Sequence, residues 1–201
     1  MPILLEKKGD SHKIDLNNNN TSQQLTVKVN LNWSQKNDRD TGFFSKLLGN
    51  DAPDLDLGCM YQTVDGKKGV IQPLDGNFGA KNESPYIFLD KDDRTGAAQN
   101  GENLTIYRPD TIERVMFFAL IYKGAKDFQS VNGRMTFQIS NGQQVHIKLN
   151  NPDRNCPFCA AAIISNIGSQ VKIVKEEKYF QGHQFADRYY KFGFQWRAGS
   201  K

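Results

Sequence analysis

The chain has little of what enzymes, membrane proteins and secreted disulfide scaffolds are built from. Three cysteines (Cys59, Cys156 and Cys159) in 201 residues do not make a disulfide framework, and a reducing compartment suits them. No apolar run approaches the ~20 residues of a membrane-spanning helix. The first eight residues hold only Ile3, Leu4 and Leu5 before their charges, short of the ~7–15 apolar residues of a secretory signal core. These absences predict a cytoplasmic globular protein. Histidine is scarce, with three in all (His12, His146 and His183), which leaves little for general acid–base work. The Gly-x-Ser-x-Gly, His-Glu-x-x-His and phosphate-loop patterns are missing, so the chain reads as a non-enzyme. Hydrophobic residues make up 38%, below the ~45–50% of an average domain. Thirteen Phe and seven Tyr supply large rings for the core instead.

Lys and Arg number 26 against 22 Asp and Glu, a formal net charge of +4. All of that excess lies in residues 171–201, so the rest of the chain is balanced. Acids are interleaved through the basic C-terminal part (Glu176, Glu177 and Asp187), and no nucleic-acid groove is expected there. Within the balanced part the acids cluster, with Asp51, Asp54 and Asp56 in one stretch and Asp90, Asp92 and Asp93 in another.

Hydrophobic periodicity is that of strands. Leu25, Val27, Val29, Leu31 and Trp33 alternate with polar residues, as do Met135, Phe137 and Ile139, then Val145, Ile147 and Leu149. The last two runs are joined across Asn141-Gly142, a strong signal for a hairpin with a tight turn of positive φ. Further strands are expected at 55–64, 69–72, 86–89, 104–107, 115–122, 160–165, 171–179 and 192–196. Residues 115–121 are almost continuously apolar, as in a central strand buried on both faces. Short helical turns are expected at 109–113 and 125–130. Many short strands with Gly, Asn and Asp between them predict an all-β fold, an antiparallel β-sandwich with short helical turns in its connections. No linker divides the chain, so 1–201 is expected to be a single domain. Asn17–Asn20 reads as an exposed polar tract, and residues 34–53 as a lid, a partner-binding loop or a short amphipathic helix.

Asp54-Leu55-Asp56-Leu57 places two carboxylates on one face of a strand and two leucines on the other. The leucines would anchor the segment and hold the aspartates. The second cluster leads through Arg94-Thr95-Gly96 to Asn100, Gly101 and Glu102, an oxygen-rich loop. Ca²⁺ takes six to eight such hard oxygen ligands. An EF-hand is excluded, because the sixth position from Asp90 is Thr95 rather than Gly. On composition alone the other reading is two solvated acidic turns balanced by Lys91 and Arg94.

The series Lys7-Lys8-Gly9-Asp10-Ser11, Val29-Asn30-Leu31-Asn32-Trp33, Asp54-Leu55-Asp56-Leu57 and Asp92-Asp93-Arg94-Thr95-Gly96 resembles the TerD-domain family of tellurium-resistance and stress-response proteins. The ending, with Tyr179-Phe180, Gly182-His183, Asp187-Arg188 and Phe192-Gly193-Phe194, then Trp196 and Gly199, is similar to its TerA branch. The resemblance implies a β-sandwich and Ca²⁺ held between the two acidic segments. It also implies a cytoplasmic role in tellurite resistance and general stress response, through protein–protein interaction with other proteins of that system at the inner membrane surface. The ligand set it implies is Asp54 and Asp56, with Asp92, Asp93, Gly96 (backbone carbonyl), Asn100 and Glu102, and with Asp90 and Asp51 in reserve. Two departures stand out. Acid-rich members carry a third Asp where this chain has Gly58, and an acidic run where it has Ala97-Ala98-Gln99-Asn100. Fewer charged ligands imply weaker Ca²⁺ binding. A calcium-independent scaffold subunit is the alternative.

Cys156-Pro157-Phe158-Cys159 is a CxxC, and a thiol redox sensor is a further alternative. The chain lacks the βαβ setting of thioredoxins, and a zinc site lacks a second paired motif. A structural role is expected for these cysteines. Tyr190, Phe192, Phe194 and Trp196 are expected to share one face of a terminal core strand, and His183 to be a turn residue satisfied by hydrogen bonds.

Overall fold

The computed structural model describes residues 2–16, 24–34, 53–90 and 101–197. The Asn17–Asn20 tract and all but the two ends of the 34–53 segment therefore lie outside the described residues. The strands in chain order are β1 (Ile3–Leu4), β2 (Ser11–Asp15), β3 (Val27–Asn32), β4 (Asp54–Thr63), β5 (Lys68–Ile71) and β6 (Ile87–Leu89). They continue with β7 (Glu102–Ile106), β8 (Ile112–Lys123), β9 (Arg134–Ile139), β10 (Gln144–Lys148), β11 (Phe158–Asn166) and β12 (Gln170–Phe180). One sheet runs β1-β10-β9-β3-β7-β6 and the other β2-β12-β11-β8-β4-β5. The pairs are antiparallel apart from β1 with β10. The result is the all-β sandwich that the alternation predicts. Among the described residues, no helix is long and apolar enough to cross a membrane.

The inner faces are where the alternation says they are. Val27, Val29 and Leu31 of β3 are fully buried, whereas Lys28 between them is exposed. They pack with Phe137 of β9 and with Leu57, Phe117 and Ile164 of the other sheet in one core. Phe117 and Phe137 meet edge to face at 5.3 Å, joining the two layers. The β9–β10 hairpin forms as expected, with a different turn. Gly142 has φ 91° and its N–H donates to Ile139 O, while Ile139 N–H donates to Gln143 O. Only the glycine takes positive φ, which is the three-residue loop with a glycine bulge rather than a two-residue primed turn. The 3₁₀ turns at Pro109–Thr111 and Gln129–Val131 answer to the expected helical turns.

β8 is buried on both faces, as its continuous apolar run predicts. Val115, Phe117 and Ala119 enter the inter-sheet core. Met116 and Phe118 enter a second cluster with Met60, Phe158 and Ala160, covered by Ala186 and Phe192 from the C-terminal region.

That cover corrects the sequence reading. Residues 192–196 are not a strand. The chain forms instead an α-helix, α1 (His183–Tyr190), followed by an irregular tail to Arg197. The inward stripe of α1 is His183, Ala186, Asp187 and Tyr190, at helical spacing. Two of these four are polar, so the stripe does not register as hydrophobic periodicity. Lys191 closes the helix in the left-handed conformation at φ 56°. Arg114 of β8 then donates to Tyr190 O (2.8 Å) and Lys191 O (3.1 Å), and its guanidinium lies 4.2 Å from the Phe192 ring centroid. It supplies partners for carbonyls that a helix end leaves open. β1, β2 and α1 are the elements that sequence periodicity misses.

Candidate functional site

Asp54 and Asp56 open β4, opposite Lys123 and Leu120 of β8, with an irregularity in register between Asp54 and Leu55. Leu55 and Leu57 are fully buried in the inter-sheet core, as the anchoring argument requires. The aspartates are buried too, at 4% and 1% exposure, and are not part of a solvated acidic turn. Upstream, Trp33 Nε1–H donates to Pro53 O at 3.1 Å and fixes the entry into the strand.

Glu102 begins β7 in the other sheet, opposite Leu31 of β3, and is also buried. Its side chain spans the layers: Leu57 N–H donates to Glu102 Oε2 at 2.5 Å. β5 pairs with β4 only from Cys59 onward, so no β5 residue stands opposite Leu57, and the carboxylate takes the N–H. A buried acidic group of this kind requires such donors, because taking the charge out of water costs several kcal/mol. Glu102 and the Asp54–Leu57 stretch, 45 residues apart in sequence between the bonded pair, therefore meet.

Asp92, Asp93, Gly96 and Asn100 lie outside the described residues, as does Asp51. Both ends of the intervening segment are fixed beside Glu102. Asp90 N–H donates to Asn103 O at 2.7 Å. Gly101, at φ 63°, passes so close to β3 that a Cβ would lie 2.0 Å from Leu31 O. Only glycine fits there. Among the described residues, no three His, Cys, Asp or Glu side chains form a group able to hold a metal ion. A cation at this end of the sandwich would need oxygens from 91–100 together with these buried carboxylates, and hard oxygen donors are the right type for Ca²⁺.

Gly58, at the position of the family's third Asp, is tightly enclosed. A Cβ there would come 2.3 Å from Phe118 Cζ and 2.8 Å from Ile71 O. The second hydrophobic cluster occupies the space that an acidic side chain would need.

The CxxC does not sit at a helix start. Cys156 lies in the loop before β11 and Cys159 within that strand, fully buried. Burial pushes the Cys159 thiol well above its ordinary range, and burial followed by Asp153 raises Cys156. Reactive thiols are held the other way.

His183 departs from expectation. Its ring lies among Phe158 (4.9 Å between centroids), Trp196 (5.1 Å) and Phe118 (5.2 Å). Nε2 is buried without a hydrogen-bond partner among the described residues. Burial lowers its pKa to about 4, so the ring is neutral near pH 7. No spacing rule in the sequence points to this aromatic enclosure.

No protein-family model matches the chain. It is 33% identical over 178 residues to the tellurium resistance protein TerA of Alcaligenes sp., an alignment covering 87% of this chain and 52% of that protein. The chain thus spans about half the length of the curated relative it matches. The chain is similar to a tellurium resistance protein over most of its own length, and carries that similarity on a β-sandwich.

Proposed function

We propose that this chain is a non-enzymatic, calcium-modulated interaction module acting in tellurium resistance and the associated stress response. The relative's name supports the role in tellurium resistance. The observation that carries the calcium part is the Glu102 carboxylate reaching across the sandwich to Leu57 N–H, next to buried Asp56. Asp54, Asp56 and Glu102 would hold the ion, with Asp92, Asp93, Gly96 and Asn100 supplied by the following loop. Bound there, Ca²⁺ would neutralise the carboxylates and tie that loop to β4. The loop and residues 34–53 would then form a surface for other proteins of the resistance system, at the inner membrane face in the cytoplasm. Isothermal titration with Ca²⁺ tests this on the intact chain and on Asp56→Ala. Heat in the first and none in the second is the expected result. No heat at millimolar Ca²⁺ removes the ion from the account.

A second reading, a calcium-independent scaffold subunit, is favoured by Gly58, where Phe118 fills the place of a further acid. Partner capture with and without chelator separates the two, since a scaffold keeps its partners when calcium is removed.

A further inference from the structure

Acids and bases are interleaved along the C-terminal segment, but the fold sorts them. Asp187 is buried and accepts three donors of the tail, Gly193 N–H, Phe194 N–H and the Trp196 indole. Glu177 pairs with the buried Lys175 at 2.7 Å, and Glu176 accepts the Tyr190 hydroxyl at 2.8 Å. Lys178, Arg188, Lys191 and Arg197 reach the surface instead. None of these four forms an ion pair among the described residues.

The same surface carries exposed rings. Phe185 and Tyr189 lie one turn apart on α1, away from its inward stripe, and are 48% and 53% exposed. The described residues hold six exposed large hydrophobic side chains, and these are the only two on one element. Single exposed apolar residues are ordinary, whereas grouped ones mark a contact surface. Tyr189 is braced in place. Its ring centroid lies 4.9 Å from that of Tyr190 and 5.7 Å from that of Phe180, with Lys178 Nζ at 4.5 Å. Because α1 packs through Ala186 on the hydrophobic cluster outside its sheet, its far side faces away from the sandwich.

We propose that this outward side of α1 binds an anionic lipid surface. Phe185 and Tyr189 would enter the headgroup region, where aromatic rings settle, and the four cations would lie over the phosphates. Each basic residue contributes about fivefold to partitioning onto an anionic membrane, so the contact is reversible and sensitive to salt. An acidic protein would need a pocket matched to these two rings, whereas a bilayer interface accepts any ring that protrudes. This contact rests on the placement at the inner membrane face proposed above, and gives that placement a surface.

Co-sedimentation of the full chain with vesicles tests it, with chelator present throughout. Vesicles of one-third phosphatidylglycerol in phosphatidylcholine should pellet the protein at millimolar lipid, and pure phosphatidylcholine should not. Half-molar NaCl should release it. Phe185→Ser and Arg188→Gln, both at exposed positions, should each weaken binding about fivefold with an unchanged near-UV circular dichroism spectrum. Lys148→Gln removes the same charge from exposed β10 in the other sheet and should bind as the parent does. The proposal is overturned if the anionic vesicles pellet no protein, if Phe185→Ser binds as the parent does, or if Lys148→Gln and Arg188→Gln weaken binding equally. It is also overturned if polyglutamate binds more tightly than the vesicles, which would make the partner an acidic protein. The chelator keeps this result apart from the calcium titration: failure here with heat there removes the lipid contact and leaves the calcium reading standing.

Discussion

The ring of Phe118 lies where a side chain at position 58 would begin, with Cζ 2.3 Å from a Cβ built on Gly58. One face of β4 thus changes character within a few residues. At Asp54 and Asp56 it carries buried acids, and at Gly58 and Met60 it belongs to the hydrophobic cluster under the C-terminal cover.

Gly58→Ala should destabilise the protein by about 1–3 kcal/mol, the usual cost of overpacking a filled core. Phe118→Leu alone removes ring volume and also destabilises. Combined, the two should cost less than their sum by more than ~0.5 kcal/mol, as residues in contact do. Urea denaturation of the four proteins measures this, and strict additivity would show that Phe118 does not restrict position 58.

Glu102 separates charge from architecture. Glu102→Gln keeps an oxygen to accept the Leu57 N–H, so its melting temperature should stay near that of the parent. Glu102→Ala leaves that buried N–H without its acceptor and should lose about 1–3 kcal/mol. If calcium binds here, Glu102→Gln should weaken it while leaving the fold unaltered; equal Ca²⁺ affinity would remove Glu102 from the ligand set.

The tail hangs on Asp187. Oδ1 accepts Gly193 N–H at 2.7 Å, and Oδ2 accepts Phe194 N–H at 2.9 Å and the Trp196 indole. Hydrogen bonds to a charged acceptor contribute ~1.5–3 kcal/mol each and are not additive. Asp187→Ala should therefore speed hydrogen exchange at Gly193 and Phe194 by at least about a hundredfold. Strands far from the cover, such as β9, should keep their protection. Unchanged exchange at those two amides would mean that the rings, not the carboxylate, hold the tail.

Stability should fall in mild acid. His183 has its folded pKa depressed from 6.5 to about 4 by burial. Above pH 6.5 both states are neutral and the group contributes no pH dependence. Between 6.5 and 4 the unfolded chain binds the proton and the folded one does not, so stability drops as pH falls. The full loss, reached below pH 4, is on the order of 3 kcal/mol. His183→Phe, which cannot take a proton, should flatten the unfolding free energy across that window relative to the parent. An identical slope would show that His183 titrates normally.

Thiol accessibility follows burial. Cys59 and Cys159 are fully buried, with thiols raised well above their ordinary range. Only Cys156 should react with a thiol reagent in the native protein, and slowly, since it too is raised. All three should react in denaturant. Rapid native labelling of two thiols would instead mark the CxxC as open and active.

β1 and β2 are too short or too polar to be read from the sequence, but strands β3 to β12 are legible along the chain, because a face buried against another sheet imposes period-2 alternation that is written locally. Val27, Val29 and Leu31 show this, and so does the unbroken apolar run of β8, which has a core on each side. Asp54 and Asp56 stand out in the sequence as an acidic pair between leucines, and Glu102 through the family resemblance; that all three are buried is a property of the fold. Tertiary structure alone decided that Glu102 crosses to Leu57, since contacts between layers leave no periodic trace. It also decided that the C-terminal region is a helix and tail. There the inward stripe includes His183 and Asp187, polar residues whose burial becomes favourable only once Trp196, Gly193 and the surrounding rings are brought around them.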